Sequence, residues 1–402
     1  MMKSTALLEK VKQRKKAPST PVARRKVVHL QNIFAFYRVP LWETLASVDE
    51  FDFELIVMAA TEKKRTIRSW QNRFDQLACR KTMLHEGVLE ERNALRYAFD
   101  VWRVLNERKP EVVLLGDYSY LADWVALLWC RLHHVPSICH YGSVYLAHGR
   151  RRSWLTERVK RLFFSHVTSV AAYSRRAREY AIWNGVSPEN VLVMGNAVPT
   201  AHLAEEVAAV RKGAVQSQND ILYVGRLSKE KNVLRLAEAF VEARKQSGCR
   251  DRRLVLVGDG PLRGKLEAFA AKQPGLIEVA GYRQRHELPA FFARARALVL
   301  PSIEEPWGLV VNEGMACGLP VLVSDYCGCV DDLVRDGVNG FRFDPFNVQE
   351  MTEALCRVMN DEIDLDTMGA SGSRLVAGYS VQKAGARLIK LIRSVLKDHP
   401  PS

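Results

Sequence analysis

The stretch Pro301–Pro320, PSIEEPWGLVVNEGMACGLP, decides how the chain is read. It leaves a predicted strand, crosses a loop at Gly308 and enters a helix, with Glu305 and Glu313 eight residues apart. One carboxylate falls at the strand exit and the other about a turn into the helix. Between them the unpaired amides of Gly308, Leu309 and Val310 lie at the positive end of the helix dipole, which makes an anion site. A carboxylate beside such a site accepts hydrogen bonds from a sugar or ribose diol. Two acids that merely favour a helix N-terminus fit the same spacing.

Two further strand exits lie upstream. VGRLSKEKN (Val224–Asn232) sets Arg226 and Lys231 five residues apart, so one loop can aim both at a single diphosphate. The guanidinium gives a planar fork and the ammonium a compact charge. Lys229 competes for that role, and a solvated basic turn accounts for the same residues. VGDGPLRGKL (Val257–Leu266) offers Gly258 and Gly260 for a tight turn before a helix. Its third glycine, Gly264, falls one residue late for a dinucleotide fingerprint, which leaves a glycine loop permitting close ligand approach.

Around these exits the second half alternates short apolar runs with helical patterns. The predicted strands are 220–224, 253–257, 277–280, 297–301, 321–324 and 340–343. The first half repeats the plan with strands at 26–30, 53–59, 112–116, 137–139, 169–172 and 191–194. Such alternation predicts parallel sheets with helical crossovers. The expected architecture is α/β, with two doubly wound, Rossmann-like domains facing across a cleft. Ligands of such folds bind beyond the carboxyl ends of the strands. A basic tail (1–25) precedes a first domain (26–199), a linker (200–219) and a second domain (220–380). An amphipathic helix near the C-terminus (381–402) is expected to pack back on the first domain.

The chain has 402 residues, 48% hydrophobic and 26% charged, which is ordinary for a globular protein of more than one domain. Its longer apolar runs, such as Trp124–Cys130, are too short to cross a bilayer. Eight cysteines without a C-x-x-C pair fit a reducing compartment better than a disulfide scaffold. The basic N-terminus lacks the apolar core of a signal peptide. The net charge is +14, and residues 1–200 hold 32 of the 59 basic and 19 of the 45 acidic side chains. The first half therefore carries +13 of the excess. Nucleic acid, an anionic membrane and a phosphorylated small molecule all suit such a half.

The half from Ile221 to about Ala377 resembles the donor domain of GT-B glycosyltransferases, specifically the retaining family 4. The resemblance rests on GRLSKEKN, LVGDGP, ALVLPSIEEPWGLVVNEGMACGLPVLVSD and CGCVDDLVRDGVNGF. It implies that Arg226 and Lys231 neutralise the leaving diphosphate of a nucleotide-sugar. Glu313 would hold the ribose hydroxyls, and Glu305 would sit at the donor sugar near the reacting carbon. Gly308, Leu309 and Val310 would contact phosphate and sugar through their amides. Gly258 and Gly260 match the glycine turn, while Tyr282 or Arg283 lie where the family cradles the base. Family members retain the anomeric configuration and usually need no bound metal or other cofactor, the nucleotide-sugar being a substrate. A D-x-D pair, Asp364 and Asp366, sits in a polar segment and reads as a solvated loop.

The first half resembles the family more loosely. FAFYRVPLWETL (Phe34–Leu45) is similar to a Y-R-x-P-L segment of bacterial members, where Arg38 fits either an acceptor phosphate or a surface role. PSICHYGS places His140 at a strand exit; relatives use a histidine near the donor sugar, and a structural histidine suits the site too. Asn196 in MGNAV matches the interdomain hinge. RRSWLTERVKRLFF (Arg151–Phe164) reads as an amphipathic helix that packs its apolar residues and adds to a basic face.

The expected function is metal-independent, retaining transfer of a sugar, with UDP-sugar favoured as donor. The acceptor would be a glycan or lipid-linked glycan in cell-surface polysaccharide or lipopolysaccharide synthesis. The expected location is cytoplasmic, with peripheral contact to an anionic membrane. A non-catalytic GT-B scaffold has no need of Arg226, Lys231, Glu305 and Glu313 together. A nucleic-acid-binding protein lacks support, because no aromatic-interleaved basic motif or helix-turn-helix is present and no specific nucleic acid is expected.

Overall fold

The computed structural model describes residues 24–62, 74–142, 154–213, 219–247, 251–360 and 362–400. The basic tail up to residue 23 lies outside them, as do Arg151 and Arg152. The first sheet has the order β3-β2-β1-β4-β5-β6-β7. Its strands are β1 (Arg25–Ile33), β2 (Phe51–Glu62), β3 (Arg80–Leu89), β4 (Val112–Leu115), β5 (Ser137–Tyr141), β6 (Ser169–Ala172) and β7 (Val191–Val193). The second has the order β10-β9-β8-β11-β12-β13. It contains β8 (Asp220–Val224), β9 (Arg253–Val257), β10 (Ile277–Gly281), β11 (Ala295–Leu300), β12 (Val321–Ser324) and β13 (Gly340–Phe343). Both sheets are parallel throughout, and their central strands, such as Val112–Leu115 and Val321–Ser324, are buried along their full length. Helices on both faces explain those unbroken apolar runs.

Helices α1 (Val39–Ala46), α2 (Ala94–Arg108), α3 (Leu121–Leu132), α4 (Trp154–Phe164) and α5 (Arg175–Trp183) belong to the first domain. The last four cover one face of its sheet. The other face is covered by α1 and by the helix Val381–Asp398, which sets Leu388, Ile392 and Val395 into the cluster around Trp42.

Three features depart from the sequence reading. Strand β3 was not expected: as an edge strand it carries Arg80, Lys81, His85 and Glu86 in place of an apolar run. The segment expected as a linker at 200–219 contains helix α6 (Ala201–Gly213). Leu203 and Val207 of α6 are buried in the second domain's core, so the connection is packed structure that belongs to that domain. Helix α4 follows its pattern only in part: Phe163 and Phe164 are buried, whereas its other apolar residues are not. Lys160 is buried, bonded to Glu157 at 2.9 Å and to the Tyr180 hydroxyl at 2.9 Å. Trp154, Leu155, Val159 and Leu162 consequently face outward. Asp364 is a helix cap: its carboxylate accepts the Thr367 amide at 3.0 Å.

Polar contacts clasp the two domains. The Arg175 amide donates to Asp332 at 3.1 Å, and the Arg176 guanidinium pairs with Asp331 and reaches the Asp325 carbonyl. Between β7 and the second domain, Asn312 donates through Nδ2 to the Asn196 carbonyl at 3.3 Å.

Candidate active site

In each sheet the strand order reverses at one point, between β1 and β4 and between β8 and β11. Those switch points open crevices at the carboxyl ends of the strands. The two crevices meet in one cavity of about 810 Å³. From the second domain it is lined by Gly225, Arg226, Glu305, Trp307, Gly308 and Leu309. From the first it takes Gln31, Arg38, Asp117, Asp123, His140 and Tyr173. Of the residues expected from sequence, Arg226, Glu305, Gly308, Leu309 and His140 thus converge, and Lys231 joins them through an ion pair with Glu305.

The second-domain side is built on a tight loop. Gly308 caps the helix Leu309–Ala316 with φ +102°, and a Cβ there would lie 2.7 Å from Leu300 Cδ2. Only glycine holds that backbone without strain. The Val311 amide returns to the Gly308 carbonyl at 2.9 Å, so the amides before it head the helix as donors. Val310 takes part through that first turn and does not itself line the cavity. The loop is pinned below: Gly328 donates to the Glu305 carbonyl at 2.8 Å, and Trp307 Nε1 donates to Asn312 Oδ1 at 2.8 Å. Both basic residues are held by acids, Lys231 by Glu305 and Arg226 by Glu230 at 2.7 Å. An anion entering here exchanges those carboxylates for its own oxygens.

Glu313 sits deeper in the same helix and outside the cavity lining. Burial pushes its carboxyl up to about 7, against an opposing pull from Arg285. The folded state therefore holds this proton more tightly than the unfolded chain. Its contribution to stability is present at acid pH and declines as pH rises from the ordinary carboxylate range through about 7. If the carboxylate form takes the ribose diol, nucleotide affinity rises over the same interval. Titration calorimetry from about pH 5 to about pH 8 checks this, and Glu313→Gln removes the component that belongs to the side chain. A pH dependence identical in the variant counts against that role.

The glycine turn departs from its expected use. A Cβ on Gly258 would lie 1.8 Å from the Gly225 carbonyl oxygen, and one on Gly260 would lie 2.5 Å from that of Leu227. The loop after β9 packs directly on the loop after β8, with the Leu227 amide bonded to the Asp259 carbonyl at 2.9 Å. These glycines serve loop-on-loop packing and do not line the cavity. Tyr282 and Arg283 follow β10, Tyr282 exposed and Arg283 beside Glu287 at 3.4 Å, also beyond the lining.

On the opposite wall, Arg38 Nη1 donates to Gln31 Oε1 at 3.1 Å and lies 3.3 Å from His140 Nδ1, while Nη2 donates to the Tyr173 hydroxyl. A guanidinium has no acceptor, so Nδ1 is the bare nitrogen and Nε2 carries the hydrogen. Burial, then Arg38 and His29, hold His140 well below the usual histidine range, and the ring is neutral. It is a fixed hydrogen-bond donor on the cavity wall. In ¹⁵N spectra His140 is expected as the Nε2–H tautomer across neutral pH. Arg38→Ala frees the other tautomer, whereas a mixed population in the unmodified protein contradicts the assignment.

Sequence reasoning missed Asp117 and Asp123. Burial, and then Asp117, hold the Asp123 carboxyl well above its usual range, and it accepts the Gly116 amide at 2.9 Å. Their one sequence signal is position after the buried strand β4, in LLGDYSYLAD, with Asp117 at the strand exit and Asp123 in the first turn of α3.

Residues 206–374 match the family described as glycosyl transferases group 1, and residues 41–197 match the glycosyl transferase 4-like domain. The chain belongs to glycosyltransferase family 4. This family 4 glycosyltransferase is 32% identical over 179 residues to alpha-D-kanosaminyltransferase from Streptomyces kanamyceticus, covering 44% of this chain and 45% of the relative. The chain thus spans less than half the length of that relative. It is 25% identical over 305 residues to an Escherichia coli UDP-Gal:alpha-D-GlcNAc-diphosphoundecaprenol alpha-1,3-galactosyltransferase, covering 72% and 76% of the two chains. The GT-B fold is shared with Anabaena Alr3699/HepE, solved in complex with UDP, at TM-score 0.69 and 18% identity, covering 92% and 100% of the two chains. Sucrose-phosphate synthase from Thermosynechococcus elongatus shares it at TM-score 0.71 and 18% identity, covering 93% and 100%.

Proposed function

We propose that this glycosyltransferase moves a sugar from a UDP-sugar to a glycan or lipid-linked glycan acceptor of the cell surface, with retained configuration. The reading takes the nucleotide-sugar as substrate and needs neither a resident cofactor nor a metal. The observation that carries it is the joining of Lys231, Glu305 and the Gly308 helix start on one wall, across a single cavity from His140 and Arg38. Lys231 and Arg226 supply positive charge where the leaving diphosphate gathers negative charge, and the helix amides add fixed dipoles. Glu305 holds the donor sugar, and neutral His140 donates to one of its hydroxyls. The E. coli relative, which acts on a diphosphoundecaprenol-linked sugar, favours UDP and a lipid-linked acceptor. A cytoplasmic protein in peripheral contact with an anionic membrane fits that acceptor.

A thermal shift tests the donor site. UDP is expected to raise Tm more than GDP or ADP, and the UDP effect is lost in Arg226→Ala. No shift with any of the three rejects the nucleotide-sugar reading. A nucleotide-sugar panel, read by released nucleoside diphosphate, then names the sugar.

A further inference from the structure

Amphipathic surface helices ordinarily turn their apolar residues to the core. Helices α2 to α5 bury their apolar residues and expose others as well. Leu95 and Phe99, one turn apart on α2, are 79% and 68% exposed. On α3, Leu121, Leu128 and Leu132 point outward. On α4 the outward residues include Trp154, 68% exposed, with Leu155 and Leu162. Trp183 on α5 adds a further exposed ring. Ten of the fifteen large exposed apolar side chains among the described residues fall on these four helices.

The helices form one surface. Helix α3 packs on α4 through Trp124 and Phe163, whose ring centroids lie 5.1 Å apart. Helix α4 meets α5 through Lys160 and Tyr180. Arginines are interleaved with the apolar groups: Arg158 lies over the Trp154 ring at 5.3 Å and Arg161 over Trp183 at 5.5 Å. Arg96, Arg103 and Arg131 are exposed on α2 and α3, with Arg96 and Arg103 paired along α2 to Asp100 and Arg103 also to Glu107.

We infer that this face docks on an anionic lipid bilayer, its Trp, Leu and Phe side chains entering the headgroup boundary and its arginines meeting lipid phosphates. Aromatic rings and guanidinium groups together suit an interface that is apolar below and charged above. Charge selects the bilayer over a second copy of this chain, because a two-fold contact would press two arginine-studded faces together. Position agrees as well. Leu121 belongs to this face and directly follows Ser119 and Tyr120, which line the cavity, so a docked surface lies next to the reaction cleft. The inference adds the contacting residues to the membrane contact named above, and it stands on lipid binding alone.

The test is cosedimentation of the full chain with phosphatidylcholine vesicles, with and without about one-third phosphatidylglycerol. The unmodified protein is expected to bind the anionic vesicles. It should keep part of that binding at about 1 M salt, where screening acts within about 3 Å. Leu95→Ser with Phe99→Ser, and separately Trp154→Ser with Leu155→Ser, should each weaken binding about tenfold while leaving Tm near its original value. Arg158→Glu with Arg161→Glu should remove the preference for anionic lipid. Binding equal to the unmodified protein in both apolar variants overturns the inference, as does absence of binding to either vesicle. A dimer in solution that dissociates in the apolar variants also overturns it and assigns the face to a second copy.

Discussion

Replacing Lys231 by alanine is expected to lower kcat about 10²–10³-fold, the size seen when one preorganised charge is taken from a developing anion. The variant also strands Glu305, which loses its ion-pair partner in a largely buried setting. The two effects separate in a Glu305→Gln background. If Lys231 acts on the leaving diphosphate, its removal still costs turnover when residue 305 is neutral. If it serves only to hold Glu305, the second substitution adds nothing. Steady-state release of nucleoside diphosphate measures both arms, and full activity of Lys231→Ala would remove this residue from the chemistry.

The second large effect is on stability. Gly258→Ala sets a methyl group 1.8 Å from the Gly225 carbonyl oxygen, at φ +145°. Neither partner is a flexible side-chain end, so the loops after β8 and β9 must separate. Overpacking and backbone strain together predict a loss of about 3 kcal/mol or more. For a domain of this size that lowers the melting temperature by about 6–12 °C. Gly264→Ala is the contrasting case. That glycine lies in the helix Arg263–Ala271 with nothing within 4 Å of a built Cβ, so alanine there is neutral or gains up to about 1 kcal/mol. Calorimetry of both variants decides the matter, and equal melting temperatures would refute the packing account.

That pair shows where sequence reading ends. Gly258 and Gly264 stand six residues apart in one glycine-rich stretch, and only the packed loop tells the indispensable one from the dispensable one. The second domain was legible because its strands are short apolar runs closed by glycine or polar loops, and 220–224, 253–257, 321–324 and 340–343 fall where expected. The convergence of the candidate residues was legible for the same reason, since Arg226, Glu305 and Gly308 follow strand ends that open on one cavity. Edge strand β3 was hidden by its polar side chains. Helix α6 was hidden by alanines that dilute the Leu203–Val207 stripe. The outward turn of α4 was invisible, because it depends on Lys160 finding Glu157 and Tyr180, and Tyr180 is a tertiary partner. Arg38 could be read two ways until Gln31, Tyr173 and His140 were seen around its guanidinium.

One buried amide has a mechanical consequence. Asn312 grips Trp307 with its oxygen and the Asn196 carbonyl, just before the second domain, with its nitrogen. Trp307 belongs to the loop that carries Glu305 and Gly308, so the segment joining the domains and that cavity loop share a linkage of two hydrogen bonds. A rotation of one domain on the other pulls directly on the loop. The placement of the Glu305 carboxylate in the cavity is thereby tied to the angle between the domains.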